Sequence, residues 1–131
     1  MTEQTNPPIG SIVWQDLTVD NAAAIQSFYC DVIGWQAKPH PITDYHDFDI
    51  IAPATGQTVA GICHARGSNA NLPPQWLIYI AVNDVDHSAQ RCLELGGRIV
   101  DGPRAMGDSR FCVIQDPAGA VVALISSGAG S

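Results

Sequence analysis

The side chains with the clearest chemical potential are an aspartate on the first predicted strand and a histidine that ends a later strand. Asp16 lies among apolar residues, so its carboxylate has to be paired, hydrogen-bonded or hydrated. It could act as a general base, although pairing with Arg110 or Tyr79 is the favoured interpretation. His64 could act as an acid or base, or join Asp16 in a metal site. A histidine and a carboxylate that hold no metal are the favoured alternative.

Composition narrows the classes of function. The chain has 131 residues, with 6 Lys plus Arg against 13 Asp plus Glu, which gives a formal net charge of −7. This length fits one domain, and the negative charge argues against binding to nucleic acid or anionic lipid. Without a membrane-length apolar run or a secretory signal pattern, we expect a cytoplasmic protein with no membrane contact. The four cysteines lack CxxC spacing, which predicts reduced, packed thiols.

Apolar periodicity predicts two helices separated by strands. The first helix runs through residues 22–32 and ends at Gly34, and the second follows Asp84 or Asp86. Shorter apolar or alternating runs predict strands at 11–18, 45–51, 57–64, 75–82, 98–101, 110–115 and 120–125. Proline predicts loops at 38–41 and 67–74.

The two halves of the sequence match each other at an offset of 63 residues without a gap. Gly34 then aligns with Gly97, and Ala60 aligns with Ala123. The shared order of strand, helix, helix-ending glycine and hairpin glycine predicts a βαβββ unit that is used twice. Two such units would curl the sheet faces opposite their helices around a cleft, a natural place for a ligand.

Five segments carry a resemblance to a known family. The strings WQDLTVD, FYCDVIGW, WLIYIAVNDVD, LGGRIV and FCVIQDPAGAVVALI, placed in two βαβββ units, resemble the vicinal-oxygen-chelate superfamily. This superfamily contains glyoxalase I, bleomycin-resistance proteins and extradiol dioxygenases. The resemblance covers about residues 10–126, and its most specific feature is the pairing of FY…GW with DPxG.

The resemblance implies an α+β fold in which two tandem βαβββ modules form a curled mixed sheet around a cleft, with the helices outside. The modules would span about 10–66 and 73–126 within a single domain over 10–126. Residues 1–9 would then be an N-terminal extension, and residues 127–131 a flexible tail. A homodimer is also implied, since many members of this size pair their modules across subunits.

Metal enzymes of the superfamily hold a divalent ion at four positions on the inner sheet faces. Carried over one by one, these positions fall on Trp14, Ala60, Leu77 and Ala123. Indole, methyl and isobutyl groups supply no metal ligand. We therefore expect no metal and no cofactor at the usual site.

The alternation of side chains along strands predicts which residues line the cleft. The residues placed there are Trp14, Asp16, Tyr45, Asp47, Ala60, Leu77, Tyr79, Arg110 and Ala123, with His64 at a strand end. Aromatic and small side chains would leave room for a flat or apolar ligand, which the charged groups would orient through hydrogen bonds.

Three classes of function remain open. The favoured one is a metal-independent protein that binds a small, partly apolar or aromatic molecule in the cleft. The second is an enzyme of the lyase, isomerase or hydrolase type, which uses Asp16 or His64 as acid or base or has a rebuilt divalent-metal site. The third is a structural or regulatory partner whose exposed sheet faces only dimerise.

Overall fold

The computed structural model describes residues 7–127, which form two helices and eight strands. The helices are α1 (Ala22–Ile33) and α2 (Val85–Glu94). The strands are β1 (Ile12–Val19), β2 (Gln36–Pro41), β3 (His46–Ala52), β4 (Gln57–His64), β5 (Trp76–Ala81), β6 (Arg98–Met106), β7 (Ser109–Gln115) and β8 (Val121–Ser127). The predicted α+β class is confirmed. Within this range, no helix has the length and apolarity needed to cross a membrane.

Parts of two predicted terminal segments cannot be compared with the structure. Residues 1–6 of the N-terminal extension and residues 128–131 of the tail lie outside the described residues. Ser127, the first residue of the predicted tail, instead ends β8.

Local signals determine where the helices begin and end. Gly34 adopts a left-handed conformation with φ of 90°, and its N–H donates to the carbonyl of Cys30 at 2.8 Å, which closes α1. At the start of α2, the carboxylate of Asp84 accepts a hydrogen bond from the N–H of His87 at 3.2 Å. Gly34 was predicted at this place from residue type, and Asp84 was one of the two residues predicted to begin the second helix.

The chain forms two compact units. The N-terminal unit comprises Trp14–Trp76, and the C-terminal unit comprises Leu77–Ser131 together with Met1–Val13. In the N-terminal unit the strand order is β2, β3, β4, β1, with β1 and β4 parallel and the other pairs antiparallel. In the C-terminal unit the order is β6, β7, β8, β5, with β5 and β8 parallel. Each unit follows the βαβββ order, which confirms the predicted repeat.

A buried apolar cluster lies between each helix and its own sheet. The N-terminal cluster comprises Leu17, Ala22, Ile50, Ala60 and Ile62. The C-terminal cluster comprises Val85, Ala89, Cys112 and Leu124. These clusters identify the sheet face that each helix covers, and the opposite face follows from the alternation of side chains along each strand.

The prediction of a loop at residues 38–41 is wrong, because these residues belong to β2. This strand pairs only with β3 in the N-terminal unit, from Gln36 opposite Ile51 to Pro41 opposite His46. Proline removes a backbone donor that an interior strand needs, whereas an edge strand can leave one side of its backbone unpaired. The two prolines therefore exclude a central strand but permit an edge strand.

The ungapped repeat is also wrong within the β-hairpin of each unit. Phe48 and Ile62 pair with each other on the helix side of the N-terminal sheet and lie 14 positions apart in the chain. The equivalent pair on the helix side of the C-terminal sheet is Cys112 and Leu124, which lie 12 apart. The longer hairpin contains an irregularity beside Ile50. The offset of 63 therefore slips by one residue in each hairpin strand, and a slip of one residue moves every side chain to the opposite face.

Candidate functional site

Three aspartates lie on the face of the N-terminal sheet opposite α1. Asp16 and Asp49 both pair with Gly61 in the strand register, which places them on one face. Asp47 shares that face by alternation along β3, and its side chain is 13% exposed. We call Asp16, Asp47 and Asp49 the acidic face. The predicted orientation of Asp16 and Asp47 is thus correct, and their contact with a ligand stays a prediction.

The thiol of Cys63 lies on the acidic face beside Thr18, its partner in the strand register. Burial raises the pKa of this thiol far above its usual value, and the nearby aspartates raise the pKa further. A thiol with a raised pKa stays protonated at neutral pH and is a poor nucleophile. Cys63 therefore fits the predicted packing role, and all four cysteines are free thiols.

His64 ends β4, and the strand register does not bring it together with Asp16. Its partner on β1 is Val19, which packs against the core beneath α1, whereas Asp16 lies on the other face. The predicted common face of Asp16 and His64 is therefore wrong. His64 instead contacts Asp47: its backbone N–H donates to Oδ1 at 2.9 Å, and its ring Nδ1 lies 3.4 Å from the same oxygen.

Tyr45 completes a polar cluster at this end of β4. Its ring meets the His64 ring edge to face, with the ring centres 5.5 Å apart. The guanidinium carbon of Arg66 lies 4.0 Å from the centre of the Tyr45 ring, a cation–π contact. Because a carboxylate can orient an imidazole for proton transfer, the contact of Asp47 with His64 is the structural basis for the acid–base alternative.

An aromatic stack occupies the face of the C-terminal sheet opposite α2. The rings of Tyr79 and Phe111 lie 5.6 Å apart between centres and 28° from parallel. Arg104 covers the Phe111 ring at 4.8 Å and donates a hydrogen bond to Asp101 at 2.8 Å. Because Tyr79 is 3% exposed and Phe111 is 1% exposed, this stack is part of the core.

Arg110 does not lie on the predicted face. Its guanidinium donates to both carboxylate oxygens of Asp86 on α2, at 3.2 and 2.7 Å. This hydrogen bonding raises the pKa of Arg110 above its usual value. The physical reason for the error is the register slip, which turns the helix-side residues Arg110 and Cys112 into apparent partners of Asp47 and Asp49.

Four residues predicted to line the cleft are almost fully buried, namely Ala60, Leu77, Tyr79 and Ala123. The predicted orientation of Ala60 is wrong, because it belongs to the core beneath α1. Trp14 is half-buried, and its contact with a ligand stays a prediction.

The corrected register moves one of the four expected metal positions from Ala60 to Gly61. Ile62 and Leu124 are equivalent through their pairing with Leu17 and Ile80, so the residues before them, Gly61 and Ala123, are equivalent too. The four positions then carry Trp14, Gly61, Leu77 and Ala123, whose side chains do not fit a divalent metal. Across residues 7–127, no group of three or more His, Cys, Asp or Glu residues is arranged to hold a metal ion.

A cavity of about 470 Å³ lies in the C-terminal unit, where the parallel strands β5 and β8 end. Its apolar lining residues are Pro7, Ile9, Val13, Ala81, Val82 and Ile125. Its polar lining residues are Asn83, Asp108, Ser109, Ser126 and Ser127. This volume lies in the range of small-molecule sites, which combine apolar walls with a few polar groups.

The residues of this cavity were not predicted from the alternation of side chains along strands. They come from four segments: the N-terminal residues, the end of β5, the end of β8, and the turn before β7. One signal was available, because neighbouring parallel strands end at the same edge, where ligands bind in many sheets. Asn83, two residues after β5, and Ser127, at the end of β8, fit that signal.

Comparisons with known proteins show both sequence and structural similarity. The putative glyoxylase CFP32 of Mycobacterium tuberculosis is 32% identical over 117 residues, which covers 88% of this chain and 45% of that protein. The anthracycline biosynthesis protein DnrV of Streptomyces peucetius is 30% identical over 123 residues, covering 90% of this chain and 42% of that protein. The chain thus spans less than half the length of these curated relatives.

A solved structure of methylmalonyl-CoA epimerase from Mycobacterium tuberculosis has the same fold, with a TM-score of 0.54 at 16% identity, covering 95% of this chain and 93% of that one. The family model described as Glyoxalase/Bleomycin resistance protein/Dioxygenase superfamily matches residues 9–124. With its twofold βαβββ order and this match over most of its length, the chain belongs to the glyoxalase/bleomycin resistance protein/dioxygenase superfamily.

Proposed function

We propose that this protein binds a small, partly apolar molecule, without a metal, in the cavity of the C-terminal unit. The cavity at the ends of β5 and β8 is the observation that carries the proposal. Six of its lining residues are apolar and five are polar, so the lining offers both an apolar wall and hydrogen-bonding groups to an organic molecule. The sequence placed the ligand against the sheet faces, whereas this proposal places it at the strand ends.

Two further observations support the proposal, one for binding without a metal and one for an organic ligand. The four positions that hold the ion in metal enzymes of the superfamily carry side chains without metal ligands. The relative DnrV is named for the biosynthesis of anthracyclines, which are small organic molecules. At 30% identity this name indicates a class of ligand and does not assign an activity.

A blocking substitution at the rim tests the proposal. Ser127 is exposed and lies directly opposite Ser109 in the strand register, so Ser127→Trp places an indole in the cavity. We expect the affinity for 2-naphthylmethanol, measured by NMR titration of backbone amides, to fall at least about tenfold, as expected when a bulky group displaces an apolar probe. The exposed Ser27 on α1 provides the matched control, Ser27→Trp, which should leave binding unchanged.

Three results would count against the proposal: unchanged affinity in Ser127→Trp, amide shifts that map away from the cavity, or no binding of the alcohol at millimolar concentration.

We also propose that two copies of the chain associate through α1. Three apolar side chains on this helix are exposed, namely Phe28 by 55%, Val32 by 65% and Ile33 by 50%. The helix carries one formally charged residue, Asp31, so two copies would meet little repulsion along it despite the negative chain. Two copies of the chain together would also have a length comparable with that of one of the curated relatives.

Light scattering of the intact chain should therefore give twice the mass of one copy, and Val32→Asp should give a single copy, because the new carboxylates would be buried in the interface. Leu93→Asp is the matched control on α2, since Leu93 is 58% exposed, and it should keep the double mass. A double mass that survives Val32→Asp would exclude α1 as the interface.

A further inference from the structure

The described lining of the cavity proposed above as the ligand site carries a negative charge and no positive one. Asp108 is the single ionisable residue among its lining residues within 7–127, and no lysine, arginine or histidine contributes to the lining. The whole chain carries a net charge of −7, which makes the surrounding potential negative. A ligand that enters this cavity therefore meets a carboxylate without a compensating positive charge.

The basic residue nearest to Asp108 in the sequence does not neutralise it. Arg110 instead donates two hydrogen bonds to Asp86 on α2, at 3.2 and 2.7 Å. Arg104, on β6 of the same hairpin, donates to Asp101 at 2.8 Å. Within the part of the chain that the structure describes, Asp108 forms neither an ion pair nor a side-chain hydrogen bond, so its carboxylate is available to a ligand.

The rest of the lining defines the other parts of the ligand. Asn83 offers an amide that both donates and accepts, and Ser109 and Ser127 offer hydroxyl groups on neighbouring strands. The apolar wall, which includes Ala81 and Ile125, suits a ring or a short hydrocarbon body. Neutral polar groups of a ligand can therefore be matched beside the charged one.

From this arrangement, and resting on the proposed function, we infer that the ligand carries a protonated amine attached to an apolar body. The ammonium group donates hydrogen bonds to the carboxylate of Asp108, and the apolar body lies against the wall formed by β5 and β8. Because Asp108 is exposed, this charge-assisted hydrogen bond contributes modestly, as ion pairs at protein surfaces do.

Two probes of matched shape and different charge test the inference. The protein as it exists is titrated with 2-naphthylmethylamine, which is protonated at neutral pH, and with 2-naphthylmethanol, which is neutral. We expect the amine to bind roughly fivefold more tightly at low salt, and this preference should shrink as sodium chloride is added. Asp108→Asn should abolish the preference while leaving the affinity for the alcohol within about twofold.

The matched control is Asp20→Asn, which makes the same charge change at an exposed position of the N-terminal unit that is not among the lining residues of the cavity. This control should keep the preference for the amine, because it leaves the carboxylate of Asp108 in place. A preference that came only from general attraction to an acidic protein would instead be reduced equally by both variants. Equal affinities of the unmodified protein for the two probes, or a preference that survives Asp108→Asn, would refute the ammonium site and leave the proposed function standing. Binding of neither probe would refute both.

Discussion

Gly102→Ala is expected to destabilise the fold by about 3 kcal/mol, since two separate costs add at this position. Gly102 lies within β6 with φ of +88°, a backbone conformation that residues with a Cβ rarely adopt. A Cβ added there would lie 2.7 Å from the carbonyl oxygen of Phe111 and 3.2 Å from the backbone nitrogen of Arg104. Backbone atoms of a paired strand cannot rotate away, so β6 or β7 has to shift.

Gly107→Ala separates these two costs. Gly107 has φ of +61°, and its added Cβ would have no heavy atom within 4 Å. This variant should lose only about 1 kcal/mol, the cost of the backbone conformation. Chemical denaturation followed by circular dichroism measures both variants. Equal losses would show that the close approach of β6 to β7 at Gly102 contributes nothing.

The elements of the fold could be predicted because their signals are local. Gly34 ends α1 through its left-handed conformation, and Asp84 begins α2 through a hydrogen bond to a backbone N–H three residues later. Each signal depends on a few adjacent residues, so the sequence contains all of it. The same reasoning explains why β4 was predicted with its observed bounds, Gln57–His64.

The sheet face that each side chain of the hairpin strands occupies could not be predicted, because it depends on the number of residues between two paired positions that are far apart in the sequence. Identical glycines at Gly56 and Gly119 suggested equal hairpins, although the N-terminal one is longer and irregular beside Ile50. Since alternate residues face opposite sides, that difference placed Ala60 and Arg110 on the wrong faces. Asp16 was placed correctly because β1 precedes the irregularity.

The residues that line the cavity could not be predicted either, because they come together only in the tertiary structure. Ile9, Ala81 and Asp108 are distant in the sequence and meet only when the C-terminal unit has formed. The family resemblance implies a site at the positions of the metal ligands, but in this chain those positions hold core or half-buried residues. The accessible site therefore has to be identified from the structure.

Phe111→Ala is expected to cost about 4 kcal/mol, the largest loss anticipated for a single substitution in this chain. Phe111 is 1% exposed, stacks on Tyr79 and carries the guanidinium of Arg104 at 4.8 Å from its ring centre. Alanine would leave a cavity between these groups and remove both the ring contact and the cation–π contact. Chemical denaturation should therefore show a much lower midpoint, and thermal melting should agree.

Phe111→Leu tests whether the aromatic ring matters beyond its volume. Leucine fills most of the space, so this variant should lose about 1.5 kcal/mol if the ring contacts with Tyr79 and Arg104 contribute as expected. Leu93→Ala is the control for truncation of an apolar side chain at an exposed position, 58% exposed on α2, and should change stability by less than about 0.5 kcal/mol. A loss in Phe111→Ala no larger than that of Leu93→Ala would mean that Phe111 does not hold the C-terminal sheet together. The stack of Tyr79, Phe111 and Arg104 would then have no energetic role, because its central ring could be removed without effect.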